Sequence, residues 1–124
     1  MSPTQKPVLD VAERLREVVA AAQGRKAVDL RVLHVDEVSD FTEYFLICSG
    51  SSGRQVQAIA EAVQDTLRGD GVRPYGVEGF RHGSWVLIDY GEFVVHIFDH
   101  EIRSYYGLER LWADGSDVTD SFIQ

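Results

Sequence analysis

The chain has a single cysteine, Cys48, three prolines, and only 12 basic residues against 20 acidic ones. Each shortage excludes something. A lone cysteine cannot close an internal disulfide, and cysteine pairs with zinc-ligand spacing are absent, so the fold is expected to rest on its apolar core in a reducing compartment. The formal charge of −8 leaves no extended cationic footprint of the kind that binds nucleic acid by releasing counterions. No apolar run approaches the ~20 residues of a membrane span, and the N-terminus lacks the apolar core of a signal peptide. A soluble, cytoplasmic chain is therefore expected.

What is present suffices for one domain. Hydrophobic residues make up 44% of 124 residues, enough for a core without metal or disulfide. The acidity is uneven: residues 63–124 hold 5 basic and 11 acidic residues. A basic protein surface is the natural complement of such a half.

Periodicity predicts the elements. Val8, Val11, Leu15, Val18 and Ala22 recur at helical spacing, with Pro7 suited to the first turn and Gly24 to the stop. Val28, Leu30 and Val32 alternate with Asp29 and Arg31, as in a half-exposed strand. After an acidic turn, Asp36 to Asp40, the run from Tyr44 to Cys48 is apolar at every position, which predicts a strand covered on both faces. Ser52 and Gln55 form a capping box that opens a second helix along Val56, Ile59, Val63 and Leu67. Val72 to Val77 is expected to complete a crossover as a strand parallel to the previous one. Trp85 to Asp89 and Phe93 to Phe98 flank Tyr90-Gly91-Glu92 as a hairpin, and a last helix is expected from Glu101 to Trp112. The order α-β-β-α-β-β-β-α predicts an α/β single domain with a mixed sheet and flanking helices over residues 1–112. The acidic segment 113–124 is expected to fray as a flexible tail.

Candidates for chemistry are few. Ser49-Gly50-Ser51-Ser52-Gly53 joins a buried strand to a helix, where backbone N–H groups can hold a phosphate, and Gly-Ser turns of this sort occur in nucleotidyltransferases. It lacks the lysine of a P-loop and the spacing of a dinucleotide fingerprint. The neighbouring strand also lacks the carboxylate pair that would hold two metal ions, since Asp89 and Asp99 stand singly on later strands. A capped turn accounts for it. His34, His82, His96 and His100 show no zinc-site spacing, and His96 reads as a hydrogen-bonded core histidine. Cys48 lies within a core strand, and no nucleophile elbow appears. No catalytic residue, cofactor or metal ligand is predicted.

Aromatics are the one local excess. Tyr75, Phe80, Trp85, Tyr90, Phe93, Phe98, Tyr105, Tyr106 and Trp112 are interleaved with charges such as Glu78, Asp89 and Arg103. A domain this small is expected to bury most of them and to leave the remainder as a protein-binding face, where aromatic anchors dominate affinity. A nucleotide-binding or nucleotidyltransferase-type enzyme is the alternative reading.

The sequence also carries a set of short motifs in a specific order. These are Thr42-Glu43-Tyr44-Phe45, Ile47-Cys48-Ser49-Gly50-Ser51-Ser52, Glu78-Gly79 and Trp85-Val86-Leu87-Ile88-Asp89-Tyr90-Gly91. Val95-His96-Ile97-Phe98 follows, then Arg103-Ser104-Tyr105-Tyr106-Gly107-Leu108-Glu109 with Leu111-Trp112. From about Val8 to Trp112 the chain resembles the ribosomal silencing factor (Iojap) family. Glu43 departs from the aspartate more usual there. The resemblance implies a nucleotidyltransferase-like fold without that activity. It further implies binding to the large ribosomal subunit through its fourteenth protein, steric exclusion of the small subunit, repression of translation, and a homodimer when free. Glu78, Trp85, Asp89, Tyr90, His96, Arg103 and Tyr106 are the implied signature positions. Trp85, Asp89, Tyr90 and Arg103 are expected to touch the partner. Ribosomal RNA is expected at most at the rim, through Arg14, Arg16, Arg25 and Lys26.

Overall fold

The computed structural model describes residues 10–35, 41–105 and 116–123. In chain order the elements are α1 (Val11–Gly24), β1 (Val28–His34), β2 (Tyr44–Gly50), α2 (Gly53–Gly69), β3 (Gly76–Glu78), β4 (Trp85–Asp89), β5 (Phe93–Asp99), α3 (His100–Tyr105) and β6 (Ser116–Asp117). A 3₁₀ turn, Thr119–Ser121, follows. The strands form one mixed sheet in the order β3-β4-β5-β2-β1-β6. The predicted α/β order holds, and no helix among the described residues is long and apolar enough to cross a membrane.

Capping sets where the two long helices begin. Asp10 accepts a hydrogen bond from the Glu13 N–H at 2.8 Å and starts α1. Pro7 and Val8, expected in its first turn, lie outside the described residues, as does the acidic turn 36–40. Ser52 Oγ accepts from the Gln55 N–H at 3.1 Å, while Gln55 Oε1 accepts from Ser51 N–H at 2.6 Å. This is a reciprocal cap shifted by one residue from the usual box. Leu15, Val18, Val19 and Ala22 of α1 and Val56, Ile59, Ala60, Val63 and Leu67 of α2 pack on one face of the sheet. That face supplies Leu46, Cys48, Val86, Ile88, Val95 and Ile97, all fully buried. Burial pushes the Cys48 thiol up to about 12, so it is inert.

Three expectations are corrected. The strand after α2 is Gly76–Glu78, shorter and later than the expected Val72 to Val77. It runs parallel to β2 but pairs antiparallel with β4, while β5 takes the parallel place beside β2. The rule that a crossover gives parallel strands says nothing about how many strands lie between them. The β1 alternation also breaks: the pairing register shifts between Val28 and Arg31, with Asp29 in the left-handed region at φ 51°. Beyond this bulge Val32 and Leu33 are both buried, on opposite faces.

The third correction is the tail, because residues 116–123 are packed. Leu33 and His34 pair with Asp117 and Ser116, Thr119 Oγ1 accepts from the buried Val32 N–H at 2.9 Å, and Phe122 is 8% exposed. The segment covers what would otherwise be an open sheet edge at β1. Its acidic composition concealed Val118 and Phe122, two apolar residues that reach the core. The last helix extends over His100–Tyr105; its expected continuation to Trp112 lies outside the described residues.

Where α1 meets the end of α2, two carboxyl groups face each other. Glu17 hydrogen-bonds Asp70, and this bond, burial and the Asp70 charge push the Glu17 pKa up to about 7. The folded state therefore binds a proton that the unfolded chain releases near pH 4.5, so stability falls as pH rises from that value through about 7. Glu17→Gln keeps a donor to Asp70 without that proton. Thermal unfolding is expected to show the variant stabilised by about 1 kcal/mol at pH 8 and nearly unchanged at pH 4.5. An equal effect at both values would show that the pair does not share a proton.

Candidate functional site: the open face of the sheet

The helices α1 and α2 cover one face of the sheet; on the other, among the described residues, the short α3 covers part. Ile102 of α3 packs over Leu33, Ile47 and Phe98, with Phe45 at the margin. Beyond α3 the face continues through Trp85, Leu87 and Val94, which remain half-exposed or exposed. Among the described residues, strand alternation puts Trp85, Leu87 and Asp89 on this face, and the antiparallel register sets them opposite Phe98, His96 and Val94.

Trp85 is the centre of this face. It is 40% exposed, yet its ring lies 5.0 Å from Phe98 and its indole N–H donates to His96 Nδ1 at 3.2 Å. The donor thus fixes one nitrogen of His96 as the acceptor. Burial pulls the His96 pKa down to about 4, so the ring is neutral at physiological pH. Phe45 meets the same imidazole edge-on, 5.2 Å away. The result is a large aromatic side chain held in one orientation while part of it faces water. Beside it, Glu78, Gly79, Trp85 and Leu87 line a shallow apolar depression of about 320 Å³.

The structure divides the predicted site residues. Glu78, Trp85 and His96 share this face, with Trp85 presented outward and His96 supporting it. Asp89 lies on the same face at the other end of β4, where its carboxylate accepts from the Gly91 N–H at 2.7 Å and shapes the hairpin turn. Two residues expected to touch the partner are buried in the free chain. Tyr90 is 7% exposed and stacks on Phe93, 5.0 Å away, within the helix-side core; burial pushes its hydroxyl up to about 12. Arg103 is 6% exposed, and its guanidinium donates to Asp29 O and Ser49 Oγ at 2.8 Å each, pinning α3 to β1 and β2. Neither presents enough surface to anchor a partner. Tyr106 lies outside the described residues. Phe45, Leu87 and Val94 were missed: Phe45 sits in an all-apolar run that carries no face information, while Leu87 follows from Trp85 by alternation alone.

The Gly-Ser turn is filled by protein. Ser51 and Ser52 bond Gln55, whose side-chain amide donates to the Arg25 and Lys26 carbonyls at 3.1 Å. The loop 79–84 closes over the turn so tightly that a Cβ on Gly83 would stand 2.7 Å from Gly53 O. Asp99 accepts from the Glu101 N–H and starts α3. Among the described residues no three His, Cys, Asp or Glu side chains are grouped to hold a metal ion.

The family model described as "Ribosomal silencing factor during starvation" matches residues 8–124. The chain belongs to the ribosomal silencing factor family. A ribosomal silencing factor of Bacillus subtilis is 42% identical over 110 residues, covering 89% of this chain and 88% of the relative. The chloroplast protein Iojap of Zea mays is 33% identical over 88% of this chain and 49% of its own length. Two crystal structures show the same fold. One, of a Chromobacterium violaceum protein, superposes with a TM-score of 0.80 at 34% identity, covering 84% of this chain and 87% of that one. The other, from Bacillus halodurans, gives 0.74 at 40% identity, covering 81% and 93%. Membership connects the chain to ribosome-associated silencing of translation.

Proposed function

We propose that this chain represses translation by docking the open sheet face on the large ribosomal subunit, at the surface where the small subunit joins. The contact is made through the fourteenth protein of that subunit, and the bound domain acts as a steric wedge. The observation that carries this reading is Trp85, 40% exposed but fixed by Phe98 and His96. An aromatic already held in its bound orientation loses little entropy on docking, and such residues anchor protein interfaces. The depression beside it accepts a partner side chain. The acidic second half suits a basic ribosomal-protein surface. Docking needs no catalytic residue or cofactor, and the chain acts in the cytoplasm. When free it forms a homodimer that shields the same face.

Sedimentation tests the proposal. Purified protein is mixed with large subunits, small subunits are added, and the mixture is run through a sucrose gradient. The protein is expected to travel with the large subunit and to lower the amount of joined ribosome. If it stays at the top of the gradient while joining proceeds, the proposal fails.

A further inference from the structure

The whole-chain charge conceals a local reversal. Gln55 bonds the Arg25 and Lys26 carbonyls, and Gln57 Nε2 donates to Phe80 O and Arg81 O at 2.8 and 3.1 Å. The first turn of α2 therefore gathers two segments that are far from it in sequence. The backbones of Arg25, Lys26 and Arg81 thus lie beside the turn that carries Arg54. All four side chains are exposed, and none forms an ion pair among the described residues. Arg25 and Lys26 follow the C-terminal end of α1, where positive charge is favourable. Arg54 has no such account, because it lies at the positive end of α2, whose first turn contains no acidic residue. Three carboxylates at this end of the sheet are placed elsewhere, and a fourth, Glu101, stands exposed on α3. Asp29 lines a hollow beside Asp117 and Thr119, Asp99 caps α3, and Glu78 borders the Trp85 depression.

We infer that Arg25, Lys26, Arg54 and Arg81 form a second contact surface, which binds the phosphate backbone of RNA next to the docking face. Uncompensated cations are matched by a polyanion, and RNA is the polyanion that a ribosomal subunit exposes around its proteins. The patch is also continuous with the docking face: the loop that carries Arg81 starts at Gly79, on the wall of the Trp85 depression. The inference rests on the docking reading for the source of the RNA. Of the basic residues expected at an RNA rim, Arg25 and Lys26 belong to this patch. Arg14 instead faces Glu92 at 3.7 Å, and Arg16 lies 5.6 Å over the Phe122 ring.

The test compares the full chain with a variant carrying Arg25→Gln, Lys26→Gln, Arg54→Gln and Arg81→Gln, by binding to large subunits from roughly 50 to 300 mM salt. The variant is expected to bind about 10- to 100-fold more weakly at the lowest salt. The slope of its log affinity against log salt should be shallower by about 3 to 4, from roughly 0.7–0.9 for each of the lost phosphate contacts. Identical slopes and affinities would overturn the inference. A photo-crosslinker at His82→Cys, with Cys48 buried and silent, is expected to label RNA, while one at Glu78→Cys labels protein. Labelling of protein alone from position 82 overturns it too. If the wild type fails to sediment with large subunits, the docking reading has failed, and naked large-subunit RNA decides the patch. Binding by the wild type that the variant loses supports it, and no binding by either sinks it.

Discussion

Trp85→Ala is expected to raise the Kd for the large subunit by about 30- to 1000-fold, the 2–4 kcal/mol typical of a central aromatic anchor. The size follows from how the side chain is held. Phe98 and the His96 acceptor fix the indole, so the free protein already presents the bound conformation. Alanine removes the anchor and leaves His96 Nδ1 without its donor. Some stability is lost as well, so thermal unfolding is to be measured alongside binding. Trp85→Phe, which keeps a ring but no donor, is expected to fall between the two in affinity. A Trp85→Ala protein that is folded and binds as tightly as wild type would remove this face from the proposal. The large effect is thus predicted from a residue that contributes only moderately to the core.

Gly79→Ala has the largest effect expected on the fold itself. Gly79 adopts φ +78°, and a Cβ there would stand 2.0 Å from the Trp85 carbonyl oxygen. The obstacle is backbone, so no side-chain rotation relieves it. The left-handed conformation costs an alanine about 1–2 kcal/mol, and displacing the start of β4 brings the total to roughly 3 kcal/mol or more. Thermal unfolding is expected roughly 10 °C or more below wild type. Docking should weaken in parallel, because the strand end that moves carries the indole. Gly76→Ala, with open space around it and no unusual φ, is the control and should unfold near the wild-type temperature. Equal melting of the two variants would contradict the close approach.

Much of the architecture is legible in the residue pattern alone. The stripes of α1 and α2 are readable because a helix buries one face at a 3.6-residue period, and the all-apolar run of β2 because a strand covered on both faces has no polar side. Local chemistry also marks the Ser52 cap and the Tyr90-Gly91-Glu92 turn. Packing of the segment 116–123 is not legible. Two apolar residues among acids carry no period, and their burial depends on β1 having an edge to cover.

The candidate site divides along the same line. The residue pattern alone carries the family motifs, the alternation that puts Trp85 and Asp89 on one strand face, and the hydrogen-bonded core character of His96. Which signature residues face outward is set by packing in three dimensions. Tyr90 and Arg103 look like contact residues in a one-dimensional string, but one lies beneath the helices and the other beneath α3. The cationic cluster around Arg54 was likewise hidden, because its members are brought together by Gln55 and Gln57 reaching across the fold. Burial and charge clustering are sums over neighbours in space, and a sequence records only neighbours along the chain.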